Sequence, residues 1–333
     1  LPPPLNYTDV EARFIELEIQ KLLSKDVIRS CELEQGDFVS NIFLRDKKDG
    51  SYRMILNLKK LNESLGFKME CLTSALDLVS QGCYMASIDL KDAYYSVPIA
   101  QRFWRYLKFQ YGGRFYHFTC LPNGLSPGPR LFTKLHKPVF GHLRQMGFMN
   151  TVYIDDSLLI GTDHAECEAN VKHSIEALRH AGFAIHPDKS SFIPQTKIQY
   201  IGFIIDSVNM TISLPEEKMI RIRNNCQSML NTVNPTIQMV AELVGQLVAA
   251  VPAVQLGKVF YRRLDIDKSE ALKANQGRFE ARMNLSKEAR SDLKWWIRTL
   301  PSASRSCQTK PTSLIIHSDA SDSGWGGAVL ASS

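Results

Sequence analysis

The chain has 333 residues, 44% of them hydrophobic and 22% charged, which is typical of a globular protein with enough apolar side chains for a sizeable core. No run approaches 18 consecutive apolar residues, which argues against a transmembrane helix, and the seven Cys lack the paired spacing of a disulfide framework or a zinc site. The net charge of +6 is concentrated in residues 216–310, which carry 16 Lys and Arg against 9 Asp and Glu, whereas residues 1–215 carry 24 against 23.

A basic region attached to a nearly neutral one suits a polyanion such as nucleic acid, although a solvated helical surface would have the same composition. Unpaired Cys favour reduced thiols and therefore an intracellular protein, in the cytoplasm or the nucleus. The first residues, Leu1-Pro2-Pro3-Pro4, resemble neither an initiator nor a signal peptide, so we expect the chain to be part of a longer polypeptide.

The first third of the chain predicts a helix, a hairpin and a buried strand. Thr8-Asp9-Val10-Glu11 has the form of a capping box, and apolar residues follow it at helical spacing. These apolar residues are Ile15, Ile19, Leu22 and Leu23. Residues 38–44 and 52–58 read as the strands of a hairpin around a charged turn, and residues 84–90 as a strand with Asp89 at its end.

The middle of the chain predicts a second hairpin and a helix. Residues 151–154 and 158–161 are apolar arms on either side of Asp155-Asp156. Asp163 caps the helix that follows, and Gly182 ends it as a C-terminal glycine does. One side of this helix is lined by Cys167, Val171, Ser174 and Leu178.

From Pro215 onward the apolar period is helical. Asn234-Pro235 is predicted as a cap followed by proline at the first helical position, and Ser286 as the start of a later helix. Residues 299–312 read as a polar linker, and residues 314–317 as a new strand. The predicted apolar stripes comprise Met219, Ile222, Cys226, Met229, Val240, Leu243, Val244, Leu247, Val248, Ala289, Leu293, Trp296 and Leu300.

The adjacent carboxylates of Asp155 and Asp156 repel each other unless a cation lies between them, and hard ions such as Mg²⁺ prefer carboxylate oxygens. Asp also favours turns for its own hydrogen-bonding reasons, so ordinary turn chemistry is the alternative. Asp89 supplies a third acid at a strand end. Two Mg²⁺ held by these acids could activate an attacking hydroxyl and stabilise the leaving oxygen of a phosphoryl displacement.

Several motifs, in this order and at this spacing, resemble those of reverse transcriptases. The polymerase motifs correspond to Ile88-Asp89 through Tyr94-Tyr95-Ser96-Val97-Pro98, to Leu121-Pro122-Asn123-Gly124-Leu125-Ser126-Pro127 and to Tyr153-Ile154-Asp155-Asp156. Residues 46–62 resemble the fingers hairpin, residues 182–190 the palm segment after the catalytic hairpin, and Tyr200-Ile201-Gly202-Phe203 the primer grip. The similarity covers nearly the whole chain.

Among retroelements, residues 200–207 and the tail 317–326 look most like the tyrosine-recombinase (DIRS) retrotransposons, with gypsy-type LTR elements as the nearest competitor. The resemblance implies a mixed α/β (α+β) fold, a right-hand polymerase with fingers, an antiparallel-sheet palm and a helical thumb. The implied limits are about 1–63 and 97–134 for the fingers, 64–96 and 135–214 for the palm, 215–310 for the thumb or connection, and 311–333 for the truncated start of an RNase H-like domain.

The resemblance also implies roles for single residues. The metal-binding carboxylates would be Asp89, Asp155 and Asp156, and Lys189 would protonate the departing pyrophosphate. Tyr94 would exclude a ribose 2′-hydroxyl, unless it is only a core aromatic. The nucleotide site would further include Lys47, Arg53, the carbonyl of Leu90, Asn123 and Gly124. Lys48 could replace Lys47, because both lie in the same charged turn.

Primer contacts would come from Tyr153, Tyr200, Ile201 and Gly202, and the basic helices would hold duplex through its phosphates. Asp319 resembles the first carboxylate of RNase H. Because that fold needs further acids downstream, we expect no RNA cleavage by residues 1–333.

The predicted function is RNA- and DNA-directed DNA polymerase activity of a retroelement, with two Mg²⁺ ions as cofactors and Mn²⁺ as the alternative ion. The predicted partners are an RNA template, a DNA primer or duplex and dNTPs, with no membrane. Two alternatives stay open: an RNA-dependent RNA polymerase with the same palm, and a catalytically inactive, domesticated nucleic-acid-binding remnant. Tyr94 argues against the first, because an RNA polymerase needs a small residue there.

Overall fold

The computed structural model describes residues 2, 5–47, 50–62, 72–308, 315–321 and 324–330. The chain divides into two compact units, Leu1–Ile201 and Gly202–Ser333. This division lies ahead of the limit predicted for the thumb at residue 215, and the finer limits of fingers, palm and thumb stay predictions. No helix within the described ranges combines the length and apolarity needed to cross a membrane.

The first unit combines five α-helices with eleven strands in the described residues. The helices are α1 (Asp9–Ser24), α2 (Lys59–Asn62), α3 (Thr73–Leu76), α4 (Gly128–Gln145) and α5 (His164–His180). The strands are β1 (Ile28–Cys31), β2 (Val39–Ser40), β3 (Ile42–Asp46), β4 (Tyr52–Leu56), β5 (Tyr84–Asp89), β6 (Lys108–Tyr111), β7 (Arg114–Phe118), β8 (Met149–Tyr153), β9 (Asp156–Gly161), β10 (Ser191–Gln195) and β11 (Lys197–Tyr200).

A central antiparallel sheet with strand order β10-β5-β9-β8 carries the predicted acids. Strands β8 and β9 form the predicted hairpin, and β9 also pairs with β5 so that Asp89 lies opposite Asp156. Helices α4 and α5 cover one face of this sheet and bury Phe132, Phe140 and Leu178 against it. The capping residues behave as predicted, since Asp163 accepts from the Glu166 amide.

The first predicted hairpin is confirmed for β3 and β4, whose residues pair from Ile42↔Leu56 to Asp46↔Tyr52. The single strand predicted over residues 38–44 is wrong, because the chain leaves one sheet and enters another at Asn41. Strand β2 pairs in parallel with β6 instead. The alternation of buried residues continues from Ser40 to Ile42 across this break, so the sequence pattern conceals it. Lys48, the alternative to Lys47, lies outside the described residues.

The second unit begins with strands and continues as helices. Its strands are β12 (Phe203–Asp206), β13 (Thr211–Ser213), β14 (Ser304–Ser306), β15 (Ile315–Ser321) and β16 (Gly324–Leu330). Its helices are α6 (Glu216–Asn231), α7 (Ile237–Ala250), α8 (Arg262–Ala274) and α9 (Lys287–Thr299). Helix α6 packs against α9, and α7 packs against α8. The predicted stripes supply the core, with Ile222, Leu247 and Trp296 all buried, but Val248 is wrongly placed in a stripe, because its side chain is 45% exposed.

Three predictions for the second unit are corrected. Helix α7 is capped by Thr236, whose hydroxyl accepts from the Met239 amide, and not by Asn234. Part of the predicted linker is strand β14, which pairs with β13. The strand predicted over residues 314–317 is β15 (Ile315–Ser321), which extends further and contains Asp319, opposite Gly326.

Candidate active site

The tip of the β8–β9 hairpin is a tight turn made of Ile154 and Asp155, closed by the pair Tyr153↔Asp156. Ile154 has a φ of 58°, in the left-handed region that a β-branched side chain disfavours. Backbone strain of this kind persists only where the surroundings enforce it, and it is common at functional sites.

Three successive carbonyl groups of this tip each accept a hydrogen bond from a different part of the first unit. Nε2 of His136, on α4, donates to the carbonyl of Ile154. The amide of Leu90, just after β5, donates to the carbonyl of Asp155 at 3.1 Å. The hydroxyl of Tyr200, in β11, donates to the carbonyl of Asp156 at 3.3 Å. The strained turn is therefore held from three sides.

The carboxyl groups of Asp89, Asp155 and Asp156 converge below this tip. Burial, reinforced by the charges of Asp155 and Asp89, raises the pKa of Asp156 from 3.8 to about 7. Burial and the charge of Asp89 also raise the pKa of Asp155, while Lys189 and Arg53 oppose this shift. The site therefore holds more negative charge than its neighbouring cations compensate.

A divalent cation would supply the missing positive charge, and carboxylate oxygens are the ligands that Mg²⁺ prefers. In the parts of the chain that the structure describes, no three His, Cys, Asp or Glu side chains already stand in a metal-enclosing arrangement. The burial of Asp155 and Asp156 beside the charge of Asp89, and not a preformed cage, is what fits these acids to a cation.

A cavity of about 430 Å³ opens in front of Asp89 and Asp155, whereas Asp156 does not line it. It brings together eight of the predicted site residues: Lys47, Arg53, Asp89, Leu90, Tyr94, Asn123, Asp155 and Lys189. Residues that the sequence did not single out also line it, among them Glu18, Lys21, Lys91, Asp92, Tyr95 and His186. Cations and carboxylates thus face one another across a space that would admit a small charged molecule.

Two adjacent tyrosines form one wall of the cavity. Tyr94 packs edge-on against Phe132 with ring centroids 5.7 Å apart, and burial raises the pKa of its phenol to about 12. Tyr95 is more deeply buried, and its hydroxyl accepts a hydrogen bond of 2.9 Å from Nδ2 of Asn123. That bond fixes the amide of Asn123 at the cavity.

Gly124 does not line the cavity but shapes it indirectly. Its φ is 101°, and a Cβ there would lie 2.7 Å from the carbonyl oxygen of Leu56. Only glycine allows the loop to approach β4 so closely, and β4 carries Arg53. Asn62 secures the loop by donating to the Gly124 carbonyl at 2.8 Å and accepting from the Ser126 amide at 2.7 Å.

Lys189 is brought to the site by a loop that is bonded to the end of β5. The Asp89 amide donates to Oγ of Ser190 at 3.0 Å, and the Asp89 carbonyl accepts from the His186 amide at 2.8 Å. The Lys91 amide donates to the Ala184 carbonyl at 2.7 Å. The charge of Lys189 lowers the pKa values of Asp155 and Asp156, which opposes the effect of burial.

The four predicted primer contacts differ in burial and in location. Tyr153 lies at the hairpin tip and is half-buried. Tyr200 is only 3% exposed, so its side chain supports the hairpin and does not present a surface to a primer. Ile201 and Gly202, with φ values of 46° and 73°, form the covalent link between the two units. Asp319 belongs to the second unit.

His136 and Ser190 are functional candidates that the sequence did not reveal. A single His in an amphipathic helix reads as an ordinary core or surface residue, and its partner Ile154 lies 18 positions away. Ser190 falls within a motif, but its hydrogen bond spans 101 positions to Asp89. Both signals depend on contacts between distant segments.

Residues 45–205 match the family model described as reverse transcriptase (RNA-dependent DNA polymerase). The chain is 24% identical over 213 residues to the Pol polyprotein of the transposon gypsy from Drosophila melanogaster, covering 61% of this chain and 20% of that protein. It is 25% identical over 195 residues to the Pro-Pol polyprotein of Simian foamy virus type 1, covering 57% and 16%.

Two solved structures of foamy viral protease-reverse transcriptase have the same fold. The complex with dsDNA is matched at a TM-score of 0.71 and 20% identity, over 96% of this chain and 63% of that one. The complex with an RNA/DNA hybrid is matched at 0.70 and 19%, over 98% and 44%. The predicted right-hand polymerase fold is thereby confirmed. The chain spans a fifth or less of the curated polyproteins it matches first.

Proposed function

We propose that the reverse transcriptase domain of this chain, which is of the retrotransposon and retroviral type, synthesises DNA on RNA and DNA templates. It would transfer a nucleotide from a dNTP to a primer 3′-hydroxyl. The observation that carries this proposal is the convergence of Asp89, Asp155 and Asp156 beside a cavity that is lined by the first two of these acids and by Arg53 and Lys189.

Asp89, Asp155 and Asp156 would hold two Mg²⁺ ions, or Mn²⁺ in their place. Such a pair, when bound, activates the attacking hydroxyl and stabilises the leaving oxygen. The protein's own contribution is to keep the three carboxylates close together in a partly buried site. This arrangement costs free energy as long as no cation is bound between them. The carbonyl of Leu90 would add a further oxygen ligand.

The other cavity residues suit a nucleoside triphosphate. Arg53 offers a planar fork of donors for phosphate oxygens, and Lys47 a mobile point charge in the hairpin turn. Lys189 would give a proton to the departing pyrophosphate. Tyr94 would lie beneath the sugar and exclude a 2′-hydroxyl, while Asn123, held by Tyr95, would contact the nucleotide through its fixed amide.

The template and primer would be RNA and DNA, as the bound nucleic acids of the foamy viral relatives suggest. Tyr153 would approach the primer end from the hairpin tip, and Ile201 and Gly202 would contribute backbone contacts. Tyr200 keeps a supporting role, because its ring is buried. The basic second unit would hold duplex through phosphates.

The chain's place among retroelements is a finer proposal. The tail motif and the β15–β16 hairpin support an RNase H-like start with Asp319 as its first acid. Residues 200–207 support the DIRS group. The sequence encoded downstream tests both: a completed RNase H followed by a tyrosine recombinase supports them, and an integrase overturns the group assignment.

Six Cys in the described residues are free thiols, which suits an intracellular protein.

Primer extension on poly(rA)/oligo(dT) with Mg²⁺ and dTTP tests the polymerase proposal. Asp155→Asn keeps the shape of the side chain but removes a negative charge, so extension should fall at least about a hundred-fold while duplex binding is retained. Asp77→Asn, at an exposed position of the same unit, is the matched control and should extend normally. Unchanged extension by Asp155→Asn would remove the metal role.

The same assay separates the two rivals. An RNA-dependent RNA polymerase would prefer UTP to dTTP on this template. We expect the opposite preference, because the bulky ring of Tyr94 would exclude the 2′-hydroxyl of UTP. A domesticated remnant would bind duplex with no extension by the unmodified protein in either Mg²⁺ or Mn²⁺.

A further inference from the structure

We infer that His136 and Tyr200 are positioning residues that hold the catalytic hairpin in its active geometry. This inference rests on the proposed function, because it concerns the alignment of Asp155 and Asp156. Neither side chain lines the cavity that faces the acids. Each donates a hydrogen bond to a backbone carbonyl of the hairpin tip.

His136 is a buried polar side chain with a defined task. It is 1% exposed, and the rings of Phe132 and Phe140 pack edge-on against it with centroids 4.9 and 5.8 Å away. A carbonyl oxygen can only accept, so Nε2 must carry the proton in its contact with Ile154. The two phenylalanines fix the ring plane and therefore the direction of this donor.

The acceptor is the carbonyl of the strained residue. Ile154 has a φ of 58°, and relaxation of that angle would rotate the peptide that connects it to Asp155. The bond from His136 opposes this rotation directly, since it holds the carbonyl of that same peptide. The side chain of Asp155 is thus kept directed toward Asp89 by a residue on another element.

Tyr200 acts two residues further along the hairpin. Its ring is buried, and its hydroxyl reaches the carbonyl of Asp156 at 3.3 Å. Together with the Leu90 amide, which holds the Asp155 carbonyl, the two side chains fix three consecutive peptides. Catalytic groups held by such surroundings lose little conformational freedom on reaching the reactive geometry, which favours the chemical step.

The choice of substitutions separates hydrogen bonding from packing. His136→Leu replaces the imidazole by an apolar side chain of similar size and leaves the Ile154 carbonyl without its donor. His136→Gln places an amide NH₂ near the position of Nε2. Alanine is unsuitable, because His136 borders a cavity of about 410 Å³ from which water could reach the carbonyl. Tyr200→Phe removes only the hydroxyl.

Matched controls are His142→Leu, at an exposed position of the same helix, and Tyr106→Phe, at an exposed tyrosine. The first readout is backbone amide exchange of residues 153–157 in the metal-free protein, which does not require activity. We expect exchange to rise about ten-fold in His136→Leu and Tyr200→Phe, to stay close to the unmodified rate in His136→Gln, and to be unchanged in both controls.

The second readout is primer extension. His136→Leu should lower kcat about ten-fold, with the KM for dTTP and the duplex Kd within about two-fold of the unmodified protein, and His136→Gln should recover most of the loss. Equal impairment by Leu and Gln, or unchanged exchange at the hairpin, overturns the inference. If the unmodified protein does not extend primers, the proposed function fails, whereas the exchange experiment still decides the positioning role.

Discussion

Asp156 combines a metal-binding position with a buried carboxyl whose pKa is raised from 3.8 to about 7 by burial and by the charges of Asp155 and Asp89. In the unfolded chain the same group ionises near its ordinary value. Between these two values the unfolded state gives up a proton that the folded state keeps, so folding stability decreases as the pH rises from about 4 to about 7. Above about pH 7, Asp156 is ionised in both states, and the folded protein is destabilised by the full cost of burying this charge beside Asp155 and Asp89.

This linkage predicts that Asp156→Asn stabilises the metal-free protein more at pH 8 than at pH 5. Thermal unfolding in the presence of EDTA should show the difference as a larger gain in Tm at pH 8. Asp77→Asn should give no pH-dependent gain. Added Mg²⁺ should raise the Tm of the unmodified protein at pH 8 more than that of the variant. A gain that is the same at both pH values would contradict the raised pKa.

The second prediction at the scale of a single residue concerns the selection of deoxynucleotides by Tyr94, whose ring borders the cavity and is held edge-on by Phe132. Tyr94→Ala should admit ribonucleotides, lowering the ratio of kcat/KM for dTTP to that for UTP by about ten-fold or more. Tyr94→Phe keeps the ring and should leave the ratio unchanged. If the Ala variant still rejects UTP strictly, the selecting residue lies elsewhere.

Single residues could be predicted from the sequence where they belong to a contiguous motif. Asp89, Asp155 and Tyr94 were identified in this way, and the cavity contains all three. The positioning roles of His136 and Tyr200 could not be predicted, although Tyr200 itself lies in a motif, since the two side chains act on hairpin carbonyls 18 and 44 positions away. Because every residue has a backbone carbonyl, the type of residue that accepts such a hydrogen bond does not indicate that the bond exists.

At the scale of elements, helices were predictable where a cap and an apolar stripe coincide. Helix α1 has both, in the capping box of Thr8 and Glu11 and in the buried stripe. Helix α8 was missed because Leu264 is its one buried residue and its start at Tyr261 has no side-chain cap. A helix that buries one residue has no stripe of apolar residues at helical spacing, so its sequence does not indicate a helix.

Strands were predictable where local pairing determines them. The β8–β9 hairpin and the β3–β4 hairpin pair with their sequence neighbours, so alternation and turn signals suffice. Strand β14 is different. It is three residues long, its side chains are all exposed, and its partner β13 lies about ninety positions earlier. Nothing local distinguishes it from the polar linker that residues 299–312 resemble.

At the scale of the whole molecule, the charge distribution distinguishes the two parts of the chain. Residues 216–310 carry 16 Lys and Arg against 9 Asp and Glu, and 1–215 are nearly balanced. The helices of this region bury apolar stripes and leave cations such as Arg221, Arg223 and Lys294 exposed. Exposed cations on helices packed around a core suit the neutralisation of phosphates, which requires no sequence-specific contact.

The binding of a DNA duplex should therefore weaken steeply with added salt. Each phosphate contact releases counterions, so a plot of log Kd against log salt concentration should rise with a slope of about 0.9 per contact on B-form duplex. Replacing Arg221 and Arg223 by Gln should reduce the slope by about 1 to 2, with little change in folding stability. Fluorescence anisotropy at several salt concentrations measures it.

Lys172→Gln, an exposed cation on α5 in the first unit, is the matched control and should leave the slope unchanged. A loss of slope in the control as large as in the Arg221 and Arg223 variant would mean that binding follows net charge alone. A flat plot for the unmodified protein would exclude the phosphate-binding role of the basic helices. The polymerase proposal would survive that outcome, because the acids and the nucleotide cavity lie entirely within the first unit.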